Sequence, residues 1–124
     1  MIPKRLSALV LKRDGGVCQL SLSGCTYVAE VADHRANRGM GGSNKLNNAV
    51  NLVAACSTCN GLKETLTGKA LEDIKRRGLR IMHASTVEQT LKQAAETPAQ
   101  YRNGDWYHLD TAGHRQISRE VHHA

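Results

Sequence analysis

The sequence predicts an α+β fold: a small ββα unit stapled by four cysteines, then helices and a small C-terminal β-hairpin or meander. Three observations carry this expectation. The four cysteines fall into two pairs, Cys18/Cys25 and Cys56/Cys59, all in the first half of the chain. Two short strand-like runs lie between and beside the pairs, and a helix-like stretch follows the second. The later residues show helical periodicity and then Asn103-Gly104 between strand-like runs, the strongest short hairpin signal. A chain of 124 residues fits one full-sized domain. Within it we expect a core at residues 1–67 and an extension at 68–124 packed on that core.

Each element has a local reason. Residues 3–13 read as a helix: Pro3 suits a first turn, Leu6, Leu9 and Val10 recur at helical spacing, and Asp14-Gly15-Gly16 ends it. Cys18 to Cys25 is a polar knuckle. Thr26–Val31 is rich in β-branched and aromatic residues and reads as a strand, with Asp33 and His34 at its end. Residues 35–49, rich in Gly, Asn and Ser, form a loop. Asn51–Ala55 is a short apolar strand, and Ser57 or Thr58 can cap a helix running to about Leu66. Gly68–Arg77 is helical, with Leu71, Ile74 and Lys75 suggesting one buried side. Ser85-Thr-Val-Glu88 matches a capping box and opens a helix to about Glu96. A second turn at Asp110–Gly113 adds a third strand to the hairpin.

Composition narrows the function classes. The formal net charge is +6, and it is uneven: residues 1–63 hold eight Lys/Arg against three Asp/Glu, residues 64–124 nine against eight. A basic first half suits a polyanionic partner. There is no apolar run of about 18 residues to cross a membrane, and the patch Leu6–Leu11 is too short for a secretory signal. The chain is therefore expected in a reducing cytoplasm, where four cysteines serve better as thiols or metal ligands than as disulfides. With no Phe, one Trp and three Tyr, a metal staple also makes physical sense, because metal binding adds folding free energy.

Cys56-x-x-Cys59 is a tight pair and Cys18-x6-Cys25 a wider one. Two such knuckles about 30 residues apart fit a closed, structural four-cysteine zinc site. Four buried thiols and a redox Cys-x-x-Cys are the competing readings. No thioredoxin-like βαβ pattern surrounds the motif.

Between the pairs stands Asp33-His34, followed by Asn51 and by Asn60 next to Cys59. Phosphodiester hydrolysis needs a base for water, a hard cation at the phosphate and a group to hold the base. Histidine, with an unperturbed pKa of about 6.5, serves as such a base near neutral pH. Asp33 and Asn60 offer oxygens of the kind Mg²⁺ accepts. A strand ending at His34, a return strand and a helix starting near Thr58 would make a compact ββα unit, and a zinc-bound Cys59 would pin the start of that helix beside Asn60.

These residues resemble the HNH endonuclease family, with its ββα-metal fold. The resemblance is carried by Cys18-Gln, Gly24-Cys25-Thr, Glu30-Val-Ala-Asp33-His34, Gly41-Gly42, Asn51-Leu52 and Cys56-x-x-Cys59-Asn60-x-x-Lys63, and covers about residues 3–66. It is similar above all to small HNH nucleases of bacteriophages and prophages. By that resemblance His34 is the general base, Asp33 a ligand of the catalytic metal, Asn51 the central Asn that helps hold the base, and Asn60 the third motif residue, in an H-N-N version. Asn47 or Asn48 could take the central role instead. Asn at the third position favours Mg²⁺ or Mn²⁺ over softer metals. Arg35 stands where the family often has an apolar residue. The resemblance implies DNA as substrate, a phage setting in the host cytoplasm, and work beside a terminase in DNA packaging.

Lys63, three residues after Asn60, is expected to share its helix side and contact phosphate. Arg35, Arg38 and Lys45 are expected to contact phosphate from the loop. His83, His108, His114, His122 and His123 show no ligand spacing, and Tyr101, Trp106 and Tyr107 are assigned to hairpin packing. Two functions remain open: a metal-dependent DNA endonuclease, and a zinc-stapled nucleic-acid-binding module without catalysis.

Overall fold

The computed structural model describes residues 2–37 and 44–119. Helix α1 spans Lys4–Arg13, with Pro3 immediately before it. Its inner side places Val10 against Ala32, Ala49 and Leu52, with Ile2 and Leu6 alongside. Arg13 ends the helix by reaching across to the Ala49 and Leu52 carbonyls. Gly15 and Gly16, both at φ +72°, then reverse the chain in a conformation that side-chain-bearing residues resist.

Strand β1, Val31–His34, pairs antiparallel with β2, Leu52–Ala55, in a register running from Val31 opposite Ala55 to His34 opposite Leu52. Helix α2, Ser57–Lys63, follows at once. The first strand thus begins later than the sequence suggests. Tyr27 has φ +73°, which breaks an extended run, and Val28 forms only an isolated bridge to Val17. Thr26 to Val28 belongs to the cysteine knuckle instead. Asp33 and His34 are the last two residues of β1, the strand end where the sequence places them. The connection from β1 contains 3₁₀ turns at Asn44–Leu46 and Ala49–Asn51.

Helix α3 covers Gly68–Arg76 and α4 covers Val87–Glu96. Lys75 is exposed, so the buried side of α3 rests on Ile74 with Leu71 half-buried. The N-cap of α4 is Thr86, one residue later than the expected box: its hydroxyl accepts from Gln89 N at 3.1 Å, while Ser85 bonds the Gln89 side chain. Strands β3 (Ala99–Gln100), β4 (Trp106–Leu109) and β5 (Arg115–Ile117) form an antiparallel meander in that order. The Asn103-Gly104 turn is present, but pairing stops at Gln100. Tyr101 turns inward and is buried, and its N–H bonds Asp105 O at 2.9 Å.

The molecule is therefore a mixed α+β structure of four helices and two small antiparallel sheets among the described residues. One apolar cluster joins Cys18, Leu20, Val53, Cys56 and Cys59 to Ile74, Leu79, Ala94, Tyr101 and Leu109. Residues on either side of position 67 thus share a core. Two close approaches depend on glycine. A Cβ on Gly78 (φ +70°) would lie 2.1 Å from Pro98 O, and one on Gly113 would lie 2.6 Å from the Leu9 side chain.

Candidate metal centre and the adjoining Asp-His site

The knuckle is shaped by its backbone. Cys18 N bonds Tyr27 O at 2.7 Å and Cys25 N bonds Leu22 O at 3.0 Å, with Ser21 and Gly24 at positive φ. The second pair sits where β2 becomes α2. Cys56 itself, not Ser57 or Thr58, is the N-cap, its sulfur accepting from Cys59 N at 3.4 Å. The four Sγ atoms all lie within 4.8 Å of one another, and none is in a disulfide. A tetrahedron with metal–sulfur bonds of about 2.3 Å has sulfur–sulfur edges of about 3.8 Å, close to the 4.0 Å between Cys25 and Cys56.

Further donors suit thiolates. Leu22 N reaches Cys59 Sγ and Tyr27 N reaches Cys25 Sγ, each at 3.4 Å. Arg102, on the β3–β4 turn, bonds Cys18 O at 2.9 Å and Cys25 Sγ at 3.5 Å. Burial opposes ionisation of Cys56, but hydrogen bonds from Thr26 and Cys59 outweigh it and bring its pKa to about 6. Cys25 is also lowered: burial works against it, while Tyr27 N–H and Arg102 favour its thiolate. Burial holds Cys18 and Cys59 above the usual thiol value. Four soft donors, two of them with lowered thiol pKa, compose a candidate metal site.

Beyond this cluster the structure brings together Asp33, His34 and Lys63. Lys63 Nζ lies 2.6 Å from Asp33 Oδ2 and donates to His34 O at 2.6 Å. The ion pair is almost wholly buried. Burial pushes Asp33 up and Lys63 down, each toward its neutral form and against the attraction of the other. Among the described residues Asp33 hydrogen-bonds through Oδ2 alone, so Oδ1 is the buried oxygen available to a cation. His34 is half-buried, and its Nε2 lies 2.7 Å from Asn47 Oδ1. An amide oxygen only accepts, so this contact is a hydrogen bond in the tautomer with the proton on Nε2.

Asn51 is fully buried and acts on backbone. Its Oδ1 accepts from Ala36 N at 2.8 Å, and its Nδ2 donates to Ala36 O and Leu46 O at 3.0 and 3.2 Å. It fixes the chain leaving His34, while Asn47 makes the side-chain contact with the imidazole. Asn60 is exposed on α2, and its side chain has no partner among the described residues.

Two expected phosphate contacts are corrected. Lys63 is fully buried and on a different side of α2 from Asn60. Its position was legible: it follows Cys59 by four residues, and i,i+4 positions share a helix face, so an inward Cys59 carries Lys63 inward. Arg35 is also fully buried. It occupies an interior place, as an apolar residue would, and its guanidinium bonds four carbonyls: Gly78 and Ala94 at 2.8 Å, Val50 at 3.0 Å and Thr97 at 2.6 Å. Lys45 is exposed in a 3₁₀ turn. Arg38 lies outside the described residues, as do Gly41, Gly42, His122 and His123. Sequence reasoning missed Arg102 at the cysteine cluster, for which a separation of 77 residues from Cys25 leaves no local signal.

Comparisons of the chain with protein-family models, curated proteins and solved structures found no match. No helix among the described residues is long and apolar enough to cross a membrane.

Proposed function

We propose that the protein is a metal-dependent DNA endonuclease of the HNH kind, built on a ββα unit with a structural zinc at Cys18, Cys25, Cys56 and Cys59. The observation that carries this reading is the placement of Asp33 and His34 at the end of β1, beside a helix anchored at its first turn by the cysteine cluster. Zinc suits the four-sulfur donor set and would leave no open position for chemistry, so its part is to hold α2 against β1.

Asp33 Oδ1 would hold a Mg²⁺ or Mn²⁺ ion, with Asn60 as the further oxygen ligand that the resemblance to HNH nucleases implies. Such an ion supplies charge neutralisation at the phosphate and at the departing 3′-oxygen. The remaining work falls to the chain. His34 is the base that takes the proton of the attacking water, and Asn47 Oδ1, 2.7 Å from Nε2, orients its ring. Asn51 fixes the backbone after His34, and Lys63 fixes both the Asp33 carboxylate and the His34 carbonyl. The products would carry 5′-phosphate and 3′-hydroxyl ends.

A positioned base contributes about 10²–10⁴-fold. His34→Ala is expected to lower plasmid nicking by that factor in Mg²⁺ or Mn²⁺, with the circular dichroism spectrum unchanged. Nicking by the variant at the wild-type rate removes His34 as base. The second reading, a zinc-stapled DNA-binding module, predicts salt-sensitive binding without metal-stimulated cleavage, and the same assay separates the two.

A further inference from the structure

With Lys63 and Arg35 buried, two of the four cations expected to meet phosphate are turned inward. The chain after α3 runs back along the exit of β1, where Ile81 N donates to Arg35 O at 2.9 Å. Asn37 Nδ2 bonds Glu64 Oε2 at 3.2 Å, and Arg80 lies 3.9 Å from the same oxygen. Between these segments opens a surface cleft of about 330 Å³, lined by Asn37, Lys75, Arg80, Ile81, Met82 and His83. Among the described residues the lining holds a lysine, an arginine, an imidazole and an amide, and no carboxylate.

Glu64 at the edge partners Arg80, and Glu72 lies 4.0 Å from Lys75 Nζ. Both glutamates are more than half exposed, and ion pairs of that kind are weak and easily exchanged for another anion. The cleft also carries an apolar side chain in water: Met82 is 81 % exposed. The cleft adjoins the Asp-His site through Ile81, whose N–H bonds the carbonyl of Arg35, the residue after His34. Cations interleaved with an exposed apolar group match a sugar-phosphate strand, whose charge repeats between apolar sugar faces.

We propose that this cleft holds the DNA backbone beside the scissile phosphate, with Lys75, Arg80 and His83 as phosphate contacts and Met82 against the sugar. The assignment rests on the nuclease reading and gives the second half of the chain a substrate-binding task.

The test measures binding of a short fluorescein-labelled duplex by anisotropy over a series of KCl concentrations, with every protein carrying His34→Ala so that the duplex stays intact. Each lost phosphate contact lowers the slope of log K against log[salt] by about 0.9. Lys75→Ala/Arg80→Ala should therefore lower it by about 2 and weaken binding more than tenfold at low salt. Arg80→Lys, which keeps the charge, should retain the slope. Lys12→Ala/Lys92→Ala removes the same charge from exposed positions on α1 and α4 and should leave the slope unchanged. Equal slopes for the two double variants would overturn the cleft, as would absence of duplex binding by the parent protein. Plasmid nicking by the protein with His34 intact is scored separately. Nicking with an unaffected slope sinks the cleft alone, whereas the expected slope change without nicking sinks the hydrolytic reading alone.

Discussion

Lys63 illustrates how a single side chain changes meaning between sequence and structure. As one of eight cations in a basic first half, it reads as a contact for a polyanion. Its inward aim, set by its spacing from Cys59, makes it the internal counter-ion of Asp33. Buried pairs gain little over a well-packed apolar pair, yet removing one partner strands the other charge and costs about 3–5 kcal/mol. Lys63→Met is therefore expected to destabilise the protein by about that amount, read from chemical denaturation. Asp33→Asn/Lys63→Met should recover a large part of the loss. A Lys63→Met protein as stable as wild type would mean that the buried pair is not maintained in solution. Asn47 teaches a related lesson. It was one of several asparagines able to take the central role, and only the 3₁₀ turn at Asn44–Leu46 decides that it, rather than Asn51, meets the imidazole.

Among the elements, those specified by local chemistry were legible. Helix α1, strand β2, α4 to within a residue, and the β3–β5 meander follow from periodicity, caps and turn residues. The misplaced start of β1 has a different cause. Thr26, Tyr27 and Val28 have strand propensity, but the demand that Cys18 and Cys25 converge with Cys56 and Cys59 overrides it and places Tyr27 at positive φ. Helix α2 depends on the same cluster: it has seven residues, and its cap is a cysteine. Helices this short are unstable alone. If zinc fills the cluster, Cys59→Ser should release it, reduce the helical signal and abolish any nicking, while the α4 cap variant Thr86→Ala should lower stability by only about 1 kcal/mol. Full retention of structure and metal by Cys59→Ser would exclude the cluster as the staple.

Over the whole molecule, the two halves inferred from charge are joined by buried arginines that no sequence signal marks. Arg35, the residue after β1, reaches the carbonyls of Ala94 and Thr97 at the end of α4 and of Gly78 after α3. These are backbone acceptors that a helix end leaves unpaired. Arg77 does the same in reverse, donating from the end of α3 to Gln19, Leu20 and Gln100 carbonyls. Burial pushes Arg35 down to about 10, so it stays charged at neutral pH with carbonyl dipoles as its direct partners. Arg35→Met should cost about 3 kcal/mol or more, since several buried carbonyls lose charged donors. Arg35→Lys should rescue little, because an ammonium lacks the planar fork. A thermal melt of either variant that overlays the wild type would show that the clamp carries no stability.

Arg35 also bears on the order in which the chain can fold. During synthesis its four acceptors arrive far apart in time: Val50 soon after it, Gly78 later, and Ala94 and Thr97 only once α4 has been made. Until then its guanidinium has, of its four acceptors, only the Val50 carbonyl or that carbonyl and Gly78. The guanidinium thus reaches its full set of partners only after α4 is in place beside the exit of β1.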